Sequence, residues 1–519
     1  MALNNNSFPT RNLNYSKSNI PQKDSEEEKK KFDKTKKEIE KLKEKVRQFK
    51  KEEIPRLRYG MIHSLYGDAE GVSIVMKQIE EVLHKKLKVP LKNIRYLIGK
   101  SKIKSKRITE SELLWTKNET NRLMVNNYKI GYGGGSSEKI EKTISEAEQV
   151  IRHFVRKNKI DILIVHNSSH PVNFIASVAL SRYYRDELIR GHKTPKYILW
   201  WHDSHLERKD FLNPPRDVEN YLLQGVPGPF VEYILFINSL QFKEARKYLK
   251  KLDSRDPGFY KLIEVNHDII YNTTDTFIQK FGDLQTNKFN EDVDTFMEDF
   301  NVEKLLGEKK LKRSEVLFCL QHTRIVGRKR IDFALKFSYE LLKKLRKKGK
   351  YKAIYFLISG HDADGSKKKL ILLNKKLQEK YGHKSVFLVF AEDYYNKTKL
   401  TFKEYPRIFA KLKAIATYFS EVEGFGNNLL EILASGLIPV IYAYPVFKKD
   451  ISKYGFKLIV FNKFQLNSVK IKEVVDLIFD EDKRRNWVNY NLNVLKKNFP
   501  HDLIAIKLIQ AIISERRHE

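Results

Sequence analysis

Ser420-Glu421-Val422-Glu423-Gly424-Phe425-Gly426-Asn427-Asn428-Leu429-Leu430-Glu431-Ile432-Leu433-Ala434-Ser435-Gly436 starts as a polar stretch broken by two glycines and continues as an amphipathic helix. Gly424 and Gly426 permit turns and close ligand approach that a Cβ would obstruct. Asn427 or Asn428 is placed to cap the helix, leaving its free N–H groups and the positive end of its dipole facing the loop. Such a helix end suits an anion. Glu423 and Glu431 flank it, with seven residues between them, and carboxylates accept hydrogen bonds from sugar hydroxyls well. An anion-friendly helix end between two hydroxyl acceptors reads as a socket for a nucleotide sugar.

Outward from this stretch, 519 residues exceed one ordinary core, so two domains with extensions are expected. Lys and Arg outnumber Asp and Glu by 34. Such an excess invites nucleic acid, an anionic membrane or a phosphorylated substrate as partner. The lysines are spread along the chain rather than gathered in one tract, which weighs equally for a merely Lys-rich surface and makes nucleic acid the weakest of these partners. The single cysteine, Cys319, excludes an intramolecular disulfide and a cysteine-based zinc cluster. It lies in the apolar run Val316–Leu320 and reads as a buried strand residue. Met1 to Tyr15 lacks the apolar core of a signal peptide. The longest apolar stretch, Leu429 to Phe447, contains Glu431, Gly436 and Pro439 and reads as helix-turn-strand, not a membrane span. A soluble, cytoplasmic protein is expected, with peripheral contact to an anionic membrane left open.

Residues 1–22 read as disordered, and Lys23 to Lys51 as a charged helix with one thin apolar stripe, together an extension over residues 1–54. The first domain spans 55–275. It opens with a strand at Leu57–Ser64, a glycine-bearing loop at Leu65–Gly71 and a helix from Val72 to about Lys85, an arrangement that presents backbone N–H groups to phosphates. Strands at 160–166, 197–202, 230–238 and 261–268 alternate with helices at about 137–157, 173–188 and 241–250. This predicts a parallel sheet with helices on both faces. Gly131–Ser137 reads as a loop and lacks the lysine of a P-loop. Residues 276–312 are charged, strand-poor and read as the connection. A second α/β series occupies 313–480, with strands at 315–320, 353–358, 385–389, 413–419 and 437–442. Helices from 481 to 519 close the chain.

Ligands of such sheets sit at the carboxyl ends of the strands. Thr323-Arg324-Ile325-Val326-Gly327-Arg328-Lys329 follows one strand there, and Arg324 and Lys329 are spaced to meet one diphosphate. A solvated basic turn is the competing reading. His202, ahead of Asp203 and His205, reads as a hydrogen-bonding residue at the mouth of the cleft or as a structural histidine; the spacing does not suit a metal. Gly360–Gly365 carries two aspartates without the calcium-loop pattern and reads as a turn.

Taken together, Ser420-x-x-Glu423-Gly424-Phe425-Gly426, Glu431 and Ala434-x-Gly436-x-x-Pro439-Val440 resemble the nucleotide-sugar motif of glycosyltransferase family 4, retaining enzymes of the GT-B fold. Arg324 to Lys329 looks like the basic diphosphate motif of that family. Gly71-Val72-Ser73 looks like its first-domain glycine loop, and His202 falls where an active-site histidine is often found. The likeness covers about residues 56–480. It implies two Rossmann-like domains facing across a cleft. It further implies Glu431 on the donor ribose, Glu423 by the donor sugar, and Gly424, Phe425, Gly426, Asn427 and Gly71 lining the donor. Arg324 and Lys329 would neutralise the leaving diphosphate, with His202 completing the catalytic set. No cofactor or obligatory metal is implied, and the acceptor is an unidentified sugar, small molecule or lipid-linked compound. Arg330 departs from the pattern, standing where a glycine commonly follows the lysine. Competing readings are a nucleotide-sugar epimerase or sugar phosphorylase on the same fold, or a degenerate GT-B scaffold binding nucleic acid or membrane.

Overall fold

Continuous apolar runs such as Ile162–His166 and Ala353–Ile358 are buried along their whole length, as strands of a parallel sheet covered on both faces must be. The computed structural model describes residues 53–67, 71–253, 264, 266–274 and 280–516. The expected disordered segment and charged helix before residue 53 lie outside these. So do residues 68–70 of the first glycine loop and half of the strand expected at 261–268.

Seven parallel strands form the first sheet: β1 (Tyr59–Tyr66), β2 (Ile94–Ser101), β3 (Ile108–Glu110), β4 (Ile162–His166), β5 (Lys196–Trp201), β6 (Tyr233–Phe236) and β7 (His267–Ile269), in the order β3-β2-β1-β4-β5-β6-β7. Six more form the second: β8 (Val316–Gln321), β9 (Ala353–Ile358), β10 (Val386–Phe390), β11 (Ile415–Tyr418), β12 (Pro439–Tyr442) and β13 (Ile459–Phe461), in the order β10-β9-β8-β11-β12-β13. The two Rossmann-like sheets of a GT-B protein are therefore present. In each, the order reverses beside the first strand in sequence, and a crevice opens there at the carboxyl ends.

The structure differs from the sequence reading in several places. β2, β3 and β13 escaped it; within β2, Arg95, Gly99 and Lys100 interrupt the apolar signal. β1 runs on through Leu65 and Tyr66, which pair with Lys100 and Ser101. Gly131–Ser137 is not a loop throughout, since the helix Gly134–Asn158 begins inside it with Gly133 as its N-cap. The connecting segment carries two helices, Asn290–Asp299 and Val302–Glu308. Phe296 packs against Phe409 at 5.4 Å and Phe300 stacks on Tyr394 at 4.3 Å, so this segment rests on the second sheet's half.

The chain crosses between the halves twice. The helix Glu481–Asn498 stays on the second half, where Arg484 donates to the carbonyls of Lys413 and Ala414 at 2.7 and 2.8 Å. Phe499 marks the return crossing, and the final helix Asp502–Ile513 lies on the first half, with Lys507 paired to Asp268 at 2.7 Å. Thr274 N–H donates to the Phe499 carbonyl at 3.1 Å, so the two crossings run side by side. No helix among the described residues is long and apolar enough to cross a membrane.

Asp450 fastens the halves together. Buried on the second half, it accepts from the Ser239 N–H (2.9 Å) and hydroxyl (2.7 Å) and from the Tyr271 hydroxyl (3.1 Å). Ser239 opens the helix Ser239–Asp253 of the first half, so the carboxylate also meets a positive helix end. Asp450→Ala strands three polar groups at the interface, and a loss of about 2–4 kcal/mol is expected in equilibrium urea unfolding. A loss below about 0.5 kcal/mol would show that the contact does not fasten the halves.

Candidate donor site

The basic loop and the carboxylate loop leave neighbouring strands, β8 and β11, and are zipped to one another. Glu421 N–H donates to the Arg328 carbonyl at 2.9 Å, and the Arg328 guanidinium returns to the Val422 carbonyl. Lys329 forms a buried ion pair with Glu423, and the Tyr418 hydroxyl donates to the same carboxylate at 2.8 Å. Burial alone would push the Glu423 pKa up. The charges of Lys329 and Arg328 more than offset it and hold the carboxyl at about 2, so Glu423 is ionised. Gly360, just past β9, makes the arrangement sterically possible. A Cβ there would lie 2.5 Å from the Thr323 carbonyl oxygen and 2.7 Å from the Arg324 Cα. Arg324 is exposed at the rim and makes no ion pair among the described residues.

The helix Asn427–Ala434 follows, but neither asparagine caps it through its side chain. Gly426 is the N-cap at φ 118°, where a Cβ would fall 2.3 Å from the Tyr444 hydroxyl. Asn427 and Asn428 instead reach sideways, to Asn272 and to the His322 carbonyl (2.6 Å) respectively. Phe425, read as donor-binding, buries its ring between the halves, 5.2 Å from Tyr271 and 6.1 Å from Phe499, so only its backbone borders the loop.

Glu431 lies one turn into the helix and faces His322, whose Nε2 is 3.1 Å from the carboxylate. His322 contacts the Ser359 hydroxyl through Nδ1 at 2.9 Å and stacks on Phe402 at 4.0 Å. Sequence reasoning missed His322 and Phe402. The available signal was the polar run Gln321-His322-Thr323 directly after an apolar strand.

The first half closes against this loop. Asn238 donates to the Gly424 carbonyl at 2.6 Å, and a Cβ on Gly424 would lie 3.6 Å from the His202 carbonyl oxygen. The position of a Cβ on Gly71, at the start of the helix Gly71–Glu81, lies 3.9 Å from the Asn427 amide nitrogen. The structure therefore brings His202, Gly71, Glu423, Gly424, Gly426, Asn427 and Lys329 together where the first half meets the carboxylate loop. Asp203 and His205 turn away from it, toward Arg208 and Tyr248. Asp364 accepts from the Gly327 N–H at 2.8 Å, so the turn Gly360–Gly365 braces the basic loop. Among the described residues no three His, Cys, Asp or Glu side chains converge as metal ligands.

No family model matches the chain. It is 26% identical over 480 residues to mannosylglucosylglycerate synthase of Petrotoga mobilis, covering 86% of this chain and 99% of the relative. It is 24% identical to the enzyme of the same name in Thermotoga maritima, covering 85% and 96%. A UDP-forming α,α-trehalose-phosphate synthase from Burkholderia xenovorans superposes with a TM-score of 0.58 at 10% identity, covering 88% of this chain and 98% of that one. The chain is a GT-B glycosyltransferase. The GT-B fold expected from the sequence is accordingly present in both halves.

The first half of this glycosyltransferase buries an unusual set of titratable groups near the cleft. Burial, with the neighbouring His202 and His63 adding to it, holds the His166 imidazole well below its ordinary pKa. Burial likewise brings His170 and His205 down to about 4, whereas it pushes Glu207 up to about 7, aided by Asp203. The three histidines stay neutral in the folded protein while the unfolded chain protonates them below pH about 6.5. Stability is therefore lost as pH falls through that value. Glu207 works in the opposite sense between pH about 4.5 and 7, but it is one group against three. The melting temperature is expected to drop between pH 7 and 5, each unmatched proton costing about 1.4 kcal/mol of stability per pH unit. A rise over that interval would mean that the histidines are charged inside the fold.

Proposed function

We propose that this glycosyltransferase uses a nucleoside-diphosphate sugar and transfers the sugar with retention to a small glycoside of a hydroxy acid. The supporting observation is the ionised Glu423 locked to Lys329 beside Gly424, with Glu431 one helix turn further and His202 across the cleft. In this reading Glu431 and His322 take the ribose, and the Phe402–His322 stack borders the nucleoside. Lys329 and Arg324 neutralise the departing diphosphate, the largest electrostatic demand of the reaction. Glu423 orients the sugar hydroxyls, and the free N–H groups at the helix end favour the phosphates.

The bond from the anomeric carbon to the diphosphate oxygen breaks on the face where the acceptor hydroxyl attacks. The hydroxyl proton passes to the departing phosphate oxygen, so the configuration is retained and no redox partner is needed. The relatives are named for a product containing mannosyl, glucosyl and glycerate parts. We assign this chain the corresponding transfer, a mannosyl group to glucosylglycerate or a near analogue.

A thermal-shift panel of nucleotide sugars should find one donor that raises the melting temperature. Lys329→Ala should then lower kcat by about 100-fold or more. Glu431→Ala should mainly raise the donor KM, by about tenfold to 100-fold. Proton NMR of the product should show the donor's anomeric configuration. Full transfer by both variants would overturn the site, and an inverted product the mechanism.

A further inference from the structure

His166 ends β4, and His202 directly follows β5, the next strand of the sheet. Parallel register sets His166 beside Trp200 and brings the two imidazoles together, with Nδ1 of His166 2.9 Å from Nε2 of His202. The Trp200 ring lies near parallel to both, at 27° to His166 and 18° to His202. The backbone of His202 is fixed as well, because its carbonyl accepts from Gln241 Nε2 at 2.9 Å.

One proton serves the contact between the two rings, and the surroundings of His166 decide which ring supplies it. His166 is 2% exposed, and its Nε2 is buried without a hydrogen-bond partner. If His202 donated from Nε2, a neutral His166 would carry its own proton on Nε2, as a buried N–H with no acceptor. That arrangement is strongly disfavoured. If His166 donates from Nδ1, its Nε2 holds only a bare lone pair, which burial tolerates better. Histidine tautomers are commonly set in this way, by the bond that the other ring nitrogen makes.

We propose that His166 is a positioning residue that fixes His202 as its Nδ1–H tautomer, so that His202 meets a substrate oxygen as a hydrogen-bond donor and not as a base. This rests on the reading of His202 as part of the transfer site. Sequence reasoning passed over His166 because a histidine closing an apolar strand carries no pattern of its own.

The test is a cycle of full-length variants: His166→Phe, His166→Asn, His202→Ala and the double variant His166→Phe/His202→Ala. His166→Phe should lower kcat by about tenfold to 100-fold, the usual scale for residues that orient a functional histidine, with donor KM within about twofold. His166→Asn, whose amide can donate from nearly the same place, should recover most of the rate. In the His202→Ala background His166→Phe should cost nothing further. An undiminished cost in that background, or an Asn variant as slow as the Phe variant, overturns the proposal while leaving the donor site intact. Full activity of His202→Ala overturns instead the reading of His202 on which the proposal rests. Should the Phe variant fail to fold, nitrogen-15 NMR of histidine-labelled wild-type enzyme decides directly. The His202 signals, identified by their loss in His202→Ala, should report a proton on Nδ1. A proton on Nε2 overturns the proposal.

Discussion

The ion pair between Lys329 and Glu423 is the constraint on which the candidate donor site depends. Both side chains are buried, and an unpaired charge in that position would cost several kcal/mol. Neither residue can leave without stranding the other, so the basic loop after β8 and the carboxylate loop after β11 must stay in register. The backbone bond from Glu421 to Arg328 and the Tyr418 hydroxyl on Glu423 hold the same register by independent means. A cation and an anion are thus fixed before any ligand arrives. Pre-organisation of this kind makes electrostatic stabilisation effective, because the protein need not reorganise as charge develops on a leaving group.

The same logic extends across the cleft. Gly424 is held from the first half by Asn238, and Phe425 is inserted among Tyr271 and Phe499, where the chain crosses between the halves. The glycine loop therefore belongs mechanically to both halves. Its glycines do different work. Gly426 needs a backbone conformation that other residues rarely adopt and lies too near Tyr444 for any side chain. Gly424 gives room to Ile237 and to the His202 carbonyl. Anything that moves one half relative to the other acts directly on the backbone that borders the candidate donor site.

Much of this was legible in the sequence, because the decisive signals are local. Two glycines, two carboxylates and an amphipathic helix within seventeen residues mark a loop-to-helix junction as a candidate anion site without knowledge of the remainder. The basic loop was legible because it directly follows an apolar strand. What escaped was non-local or lacked a pattern. β2 is broken by Arg95 and by Gly99, where a Cβ would lie 2.5 Å from the Ser64 carbonyl oxygen. The expected asparagine cap was replaced by Gly426, because both asparagines are used to bond across the cleft and to β8's loop. His322 and His166 are single histidines whose meaning comes only from what the fold sets beside them, Glu431 in one case and His202 in the other.

Arg330 shows how a departure from a family pattern is accommodated. It stands at φ 47°, in the left-handed region that suits a glycine, at a cost of roughly 1–2 kcal/mol for any other residue. The guanidinium offsets that cost locally: it pairs with Glu421 at 2.7 Å and Asp332 at 3.1 Å and lies over the Phe464 ring at 4.3 Å. The pairing with Glu421 adds one more tie between the basic loop and the carboxylate loop. The positive charge is therefore used inside the fold, and the proposed reaction assigns the diphosphate to Arg324, which is exposed, and to Lys329, which is paired with Glu423. A glycine would relieve the backbone but loosen the joint that keeps Glu423 and Lys329 in register. The strain at this position and the rigidity of the site are consequences of the same side chain.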